Sequence, residues 1–450
     1  WGSVGDDVPY APLNDIPMSL TGAHSYLQPR AYSANYKIPE RIFQYTVSWQ
    51  QQLPYNLVST VAYVGSQGRN LFLRSVANQI LPGSATILNG SNIPTGVGVV
   101  NRTNAGGQVI GVTTVRQFSI VSGTSVQNPY AEVDYKTSGG DDKYNALQFS
   151  LQRSFNTGLT MNMQYTYGKS EGLSSGSNEA RTSAQLDNFE GDRGRNNFDI
   201  RHTFNLSALY ELPIGRGKAY DFGRTGNIFL GGWEVGGILN ARSGVPIEVL
   251  VVRPDVVVVC QQAGGCPNGA GGFFAQGFTA NLPSFGGSFP ALPVGFAAVV
   301  NTPGGGNSRN VRRPNLIGDP YLNNDRNFLN PAAFAIPTAG TFGDLGRNAL
   351  DGPIFRQLDL ILAKRFRFNE TMNIEFRTEF FNILNQANFA NPSATLSNAL
   401  PNLSFNSGTG VYSASTSNVV QPGQAFTQGA AGSTFGLLRS TVGRTVGLGS

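Results

Sequence analysis

The stretch 355–384, FRQLDLILAKRFRFNETMNIEFRTEFFNIL, restricts what the chain can fold into more than any other part of it. In its first half Leu358, Leu360, Leu362, Phe366 and Phe368 share one parity, while Gln357, Asp359, Arg365 and Arg367 share the other. After Asn369, Glu370 and Thr371, the residues Met372, Ile374, Phe376, Thr378 and Phe380 alternate with Asn373, Glu375, Arg377 and Glu379. Side chains of a strand point alternately to opposite faces, so each half has one oily face and one charged face, whereas a helix would scatter them. The pattern predicts a tight hairpin with arms of about a dozen residues, close to the ~9–11 that cross a bilayer at a tilt. A soluble sandwich hairpin, its apolar face on a core, is the competing reading.

The same period recurs elsewhere. Phe43, Tyr45, Val47 and Trp49 alternate with Gln44, Thr46, Ser48 and Gln50, and Leu57, Val61 and Tyr63 continue on a second strand. Leu147, Phe149 and Leu151 alternate with Gln148, Ser150 and Gln152; past a turn at 156–158, Leu159, Met161, Met163, Tyr165 and Tyr167 alternate with Thr160, Asn162, Gln164 and Thr166. A third pair carries Phe204, Leu206, Ala208, Tyr210 and Leu212, then Trp233, Val235, Gly237, Leu239 and Ala241. Eight strands are thus expected. Residues 1–37, 67–142, 170–198, 243–353 and 385–435 read as loops rich in Gly, Asn, Ser or Pro. Short turns (51–56, 156–158, 369–371) and a connector at 213–230 alternate with these long loops. Loops beyond about 15 residues are rare in compact soluble domains, but short periplasmic turns opposite long extracellular loops are expected of an outer-membrane barrel.

Composition agrees. Charged residues are 13% of the chain, half the usual ~25%. There are 56 glycines, and aromatics reach 11%. A net charge of +5 without a basic cluster excludes a nucleic-acid partner. No apolar run approaches the ~18 residues of a helical span; 256–260 and 294–300 are the longest, so membrane crossing is expected by strands. The opening, WGSVGDDVPY, has neither an initiator Met nor an apolar leader and reads as a cut in a longer protein.

On this pattern Phe149, Leu151, Met161, Met163, Leu360, Leu362, Ile374 and Phe376 are expected to face lipid, with Ile374 near the bilayer midplane. Gln148, Gln164, Asp359, Arg365, Arg367, Glu375, Arg377 and Glu379 are expected to line the lumen. Paired carboxylates there could serve a glycosidase, but the interleaved arginines favour charge pairing along a polar path. Cys260 and Cys266, in CQQAGGC, can close a small disulfide loop suited to an oxidising compartment; metal ligation competes, but no second ligand pair lies nearby. Asp187, Glu190, Asp192 and Asp199 lie among Arg193, Arg195, Arg201 and His202. Calcium at Asp187, Glu190 and Asp192 is conceivable; a salt-bridge network answers the same residues without an EF-hand spacing. GGG at 304–306 and GRGK at 215–218 lack the strand–helix setting of a phosphate loop. No nucleophile elbow or HExxH occurs, so neither an enzyme nor a cofactor is expected.

Several phrases, in order, resemble the Oar-like TonB-dependent transporters, the large outer-membrane receptors abundant in acidobacteria: DNFEGDRGRNNFDIRHTFNLSALYELPIGRGK, GGWEVGGILNARSGVPIEV, RRPNLIGDP, FLNPAAFAIPTAGTFGDLGRNALDGPIFRQLDLILAKRF and IEFRTEFFNILNQANFANP. The likeness runs from about residue 41 to the end. It implies an all-β fold: an antiparallel transmembrane barrel of about 22 strands, of which residues 1–450 are a C-terminal portion. The family's N-terminal carboxypeptidase-regulatory-like domain, plug and final aromatic-ended strand are not found in this sequence. The resemblance implies an outer-membrane location and TonB-coupled uptake of a bulky oligosaccharide, peptide or chelate. The expected partners are outer-membrane lipid, lipopolysaccharide, an unidentified ligand and, through a plug, the TonB complex. A surface-structural or adhesive barrel and a soluble carbohydrate-binding β protein are the alternatives.

Overall fold

Each alternating segment is a strand; backbone N–H and C=O groups join the strands edge to edge, and their shared oily and polar faces fix the register. They are labelled β1 (Arg41–Leu53), β2 (Leu57–Val76), β3 (Asp134–Arg153), β4 (Leu159–Gly172), β5 (His202–Glu211), β6 (Trp233–Arg242), β7 (Phe355–Arg367) and β8 (Asn373–Phe380). The structure is a computed structural model that describes residues 30–81, 84–86, 99–103, 109–122, 125–127, 130, 133–154, 158–173, 188–282, 292–302, 311–322, 326–367, 373–439, 441 and 448–449. Spatial order equals sequence order from β1 to β8, and each neighbouring pair is antiparallel. Leu448–Gly449 adds to β8, and Arg30–Tyr32 runs parallel to the start of β3. Among the described residues no pairing joins β1 back to β8 or to Leu448–Gly449. Among them, too, no helix is long and apolar enough to cross a membrane.

Two of the strands outrun their sequence signal. β2 and β3 have 20 residues each, about twice a bilayer's need, and pair as far as Val76 and Asp134 through a register shift near Leu71. The expected loop 67–142 is therefore strand at both its ends. Alternation fades there because the segment 134–143, DYKTSGGDDK, is polar on both faces. At the other end, Tyr55 and Asn56 adopt φ of 64° and 56°, the left-handed backbone that reverses β1 into β2 in three residues.

The largest departure from expectation is 243–353 together with 385–435, whose described residues are folded rather than irregular. Leu250–Val252 pairs in parallel with Thr395–Leu396 and antiparallel with Val311–Arg312. Val256–Cys260 lies between Thr279–Asn281 and Phe296–Val300. Val249, Val251, Leu329, Phe334, Ile336, Leu396, Phe426 and Phe435 form one buried core. A second, smaller core holds Val258, Ala280, Phe296 and the disulfide between Cys260 and Cys266. Strands of two to five residues whose partners lie tens to more than a hundred positions away leave no period to read. The two long loops thus build a single cap at the end of the sheet opposite the short turns. The 213–230 connector also holds an element the alternation could not show, helix α1 (Gly223–Leu230).

Candidate functional site

Residues opposite one another in a sheet share a face, so the register assigns each side chain to one side of the wall. One row runs Trp49, Val61, Phe149, Tyr165, Phe204, Ala241 through β1 to β6. The next on that face runs Ser59, Leu151, Met163, Leu206, Leu239, Leu358 through β2 to β7. Met161, Leu360, Leu362, Ile374 and Phe376 belong to the same face by register. All eight residues read from the sequence as apolar-facing therefore share one surface. Ile374, however, is the second residue of β8 and pairs with Phe366, so it stands at the turn end and not at mid-strand. Alternation gives the face of a residue; only the strand's true start gives its depth.

The aromatic end of this face is knitted by polar groups. Tyr45 and Tyr63 both donate to Asn145 Oδ1, at 3.0 and 2.8 Å. The Tyr45 ring covers Gly65, where an added Cβ would lie 2.1 Å from it. The Tyr165 hydroxyl and His202 Nδ1 are 2.8 Å apart, and the His202 ring lies 5.1 Å from that of Tyr167.

The opposite face is polar across its breadth. Gln50, Thr60, Ser150, Gln164, Asn205, Asn240 and Gln357 stand in one register row from β1 to β7. Gln148 lies one step up on the same face, opposite Thr166. Asp359 also lies on it, accepting from the Asn382 backbone N–H at 2.7 Å and from Gln357 Nε2 at 3.0 Å. Charge gathers at the turn end. Arg365 reaches Glu375 at 3.0 Å and Glu234 at 3.3 Å, and Arg377 reaches Glu379 at 2.5 Å. Glu211 and Glu234 stand opposite each other, a repulsion that Lys218, 2.9 Å from Glu211, and Arg365 relieve. Arg367 takes the register position opposite Asn373, and its side chain lies outside the described residues. Sequence reasoning missed Glu211 and Glu234, although their parity with Asn205 and Asn240 was available as a signal.

The carboxylates near 190 are answered by guanidinium groups. Glu190 pairs with Arg193 at 2.6 Å, Asp192 with Arg313 at 2.6 Å, and Asp199 with Arg195 and Arg201 at 2.8 and 3.2 Å. The hydrogen bond from Arg193 holds the Glu190 carboxyl below the usual carboxylate range. Asp187 lies outside the described residues, and among the described residues no group of three metal-ligating side chains converges. Above these pairs, buried Arg347 donates to the carbonyls of Leu173, Gly194 and Arg195, fastening the cap to the end of β4. Arg253, also buried, donates to carbonyls of Thr341, Asn301 and Thr338; burial, with Arg312 nearby, pushes it down to about 10. Both arginines are structural clamps that no sequence signal marked.

An antiparallel up-and-down wall with one mainly apolar face, a polar reverse and a folded cap is the build of an outer-membrane β-barrel protein. The chain belongs to the family described as the outer membrane beta barrel domain, which it matches over residues 3–280 and 290–437. That membership gives its location as the outer membrane. A comparison with curated proteins finds no match.

Proposed function

We propose that this chain is wall and cap of a TonB-dependent receptor of the Oar-like type, a C-terminal portion of a larger barrel that takes up a bulky ligand. The observation that carries this reading is the register row of amides and hydroxyls from Gln50 to Gln357. Seven strands turn uncharged hydrogen-bonding groups to one side, a surface suited to a wide wet lumen along which a polar solute exchanges partners. A barrel of eight strands would be filled by its own side chains, and the long charges Arg365, Glu375 and Arg377 call for a wider interior. The opposite face, with Leu151, Met163, Leu206, Leu239 and Leu358, meets the hydrocarbon. The short turns are periplasmic and the cap is extracellular, where it would meet lipopolysaccharide and ligand. TonB would act through a plug supplied by the rest of the protein. The paired carboxylates Glu375 and Glu379 serve as wall charges, with no chemistry and no cofactor assigned to them.

The test is uptake by cells carrying the whole protein. Labelled oligosaccharides, peptides and metal chelates are offered with and without a protonophore. Accumulation that needs both the protein and the proton-motive force supports the proposal. Cell–cell or cell–matrix attachment that needs the protein, with uptake unchanged by its removal, supports the adhesive reading instead.

A further inference from the structure

The connector between β5 and β6 carries apolar surface that neither lumen nor cap accounts for. In α1 Phe229 is 70% exposed, Ile228 and Leu230 are about half exposed, and Tyr220 and Phe222 just before the helix are exposed as well. At about 3.6 residues per turn, Phe229 and Leu230 flank Gly226 on the side of the helix away from Arg224, whereas Ile228 lies on the Arg224 side. Apolar side chains so concentrated on a short connector mark a contact surface.

Lys364 fixes where that surface lies. Its register partners are Trp233 and Phe376, so it stands on the apolar face of the wall, where a cation is out of place. Yet it is only 5% exposed. Its Nζ donates to the Phe229 carbonyl at 2.8 Å and to that of Gly231, and lies 5.0 Å from the Trp233 ring and 5.1 Å from the Phe366 ring. Trp233 Nε1 donates to the same Phe229 carbonyl at 3.0 Å. The last carbonyls of a helix lack intrahelical donors and carry the negative end of its dipole, so a lysine and an indole N–H are suitable partners for them. Gly232 makes the return possible: its φ is +72°, and a Cβ there would lie 2.4 Å from the Arg365 carbonyl. The C-terminus of α1 is therefore pinned to the outer, apolar face of the sheet, level with Trp233, Phe366 and Phe376.

We propose that α1, with Tyr220 and Phe222, is an interfacial anchor seated in the headgroup–acyl boundary of the phospholipid leaflet at the short-turn end of the wall. This rests on the apolar face meeting lipid, as in the function proposed above. The occupant follows from continuity: the helix is pinned to the lipid-side surface beside its aromatic end-row, so its apolar side chains extend that surface sideways. The exposed Arg216 and Arg224 add cations where headgroup phosphates lie. Lys364 contributes by satisfying the helix end, which lets the alternation of β7 carry a cation on its oily side.

The test uses the whole protein in outer-membrane vesicles, with a nitroxide attached singly at Leu206→Cys, Phe229→Cys or Arg224→Cys. Collision with oxygen, which partitions into lipid, is compared with collision with a water-soluble nickel chelate. Oxygen is expected to dominate several-fold at Leu206 and Phe229, and the chelate at Arg224. A chelate-accessible label at Leu206 would overturn the lipid-face assignment itself. Lipid at Leu206 with water at Phe229 would overturn the anchor alone. Adding Lys364→Met to Phe229→Cys is expected to loosen the Phe229 label, narrowing its spectrum while a Leu206 label stays unchanged. An equally ordered Phe229 label would show that Lys364 does not hold the helix.

Discussion

Arg313 donates to the carboxylate of Asp192 at 2.6 Å, a contact between side chains 121 residues apart that ties the helical turn Phe189–Asp192, ahead of β5, to the cap. Arg347 reinforces the same junction through the Leu173 carbonyl at 2.6 Å. Asp192 is buried, so removing Arg313 leaves its carboxylate with one charge-assisted hydrogen bond fewer in a poorly solvated place. Arg313→Ala is expected to cost about 1–3 kcal/mol of local stability at this junction. Hydrogen exchange would show faster opening of 188–199 with β5 and β6 unchanged. Unchanged protection at 188–199 would mean that the pair adds nothing to the cap.

Acid should loosen the neighbouring turn in a defined direction. Arg193 lowers the Glu190 pKa in the folded chain, so the unfolded segment binds its proton more readily. The contribution is full above the ordinary glutamate value of about 4.3 and is lost as the pH falls through the lower folded value. Glu190 is largely exposed, so the effect is small. Proteolysis of 188–199 should speed up below about pH 4 in the wild type and change less with pH in Glu190→Gln. Identical pH profiles for the two would count against the pairing.

The sequence made the wall legible because a strand between lipid and water must alternate, and Gln148 to Gln152 or Ile374 to Arg377 do so without a break. Depth was not legible, since Ile374 follows the turn too closely to be mid-strand. Lys364 was hidden for a related reason: its role depends on a helix carbonyl 135 residues away. The cap was illegible because its core is collected from isolated residues such as Val251, Phe334 and Leu396, each on a strand too short to carry a period. The charge cluster near 190 could be read as to its type, but its partner Arg313 could not.

The disulfide should matter to the cap and not to the wall. Cys260 and Cys266 are both fully buried against Phe296 and Ala280 and close a loop of six positions. Closing so short a loop contributes about 2 kcal/mol through the unfolded state. Cys260→Ser with Cys266→Ser is expected to lower the melting of the 243–302 segment, followed by hydrogen exchange, while β3–β6 retain their protection. Loss of the sheet along with the cap would show the two to be one cooperative unit.

The last prediction sets two neighbouring residues of β5 against each other. Leu206 lies in the middle of the strand on the apolar face, opposite Met163 and Leu239; Asn205 lies on the polar face, opposite Gln164 and Asn240. An arginine on the lipid side of a barrel costs about 2–4 kcal/mol at the midplane and about 0–1 near the interfaces, whereas a wet lumen solvates it. Leu206→Arg is therefore expected to lose about 2–4 kcal/mol, and Asn205→Arg to stay within about 0.5 of wild type. Ile374→Arg, at the turn end of β8, should lose only about 0–1 kcal/mol although its side chain is as apolar as Leu206. Urea unfolding of the whole protein in phospholipid vesicles measures all three. Equal losses at Leu206 and Asn205 would remove the distinction between the faces. A loss at Ile374 as large as that at Leu206 would place the bilayer one turn lower than the register of β7 and β8 implies.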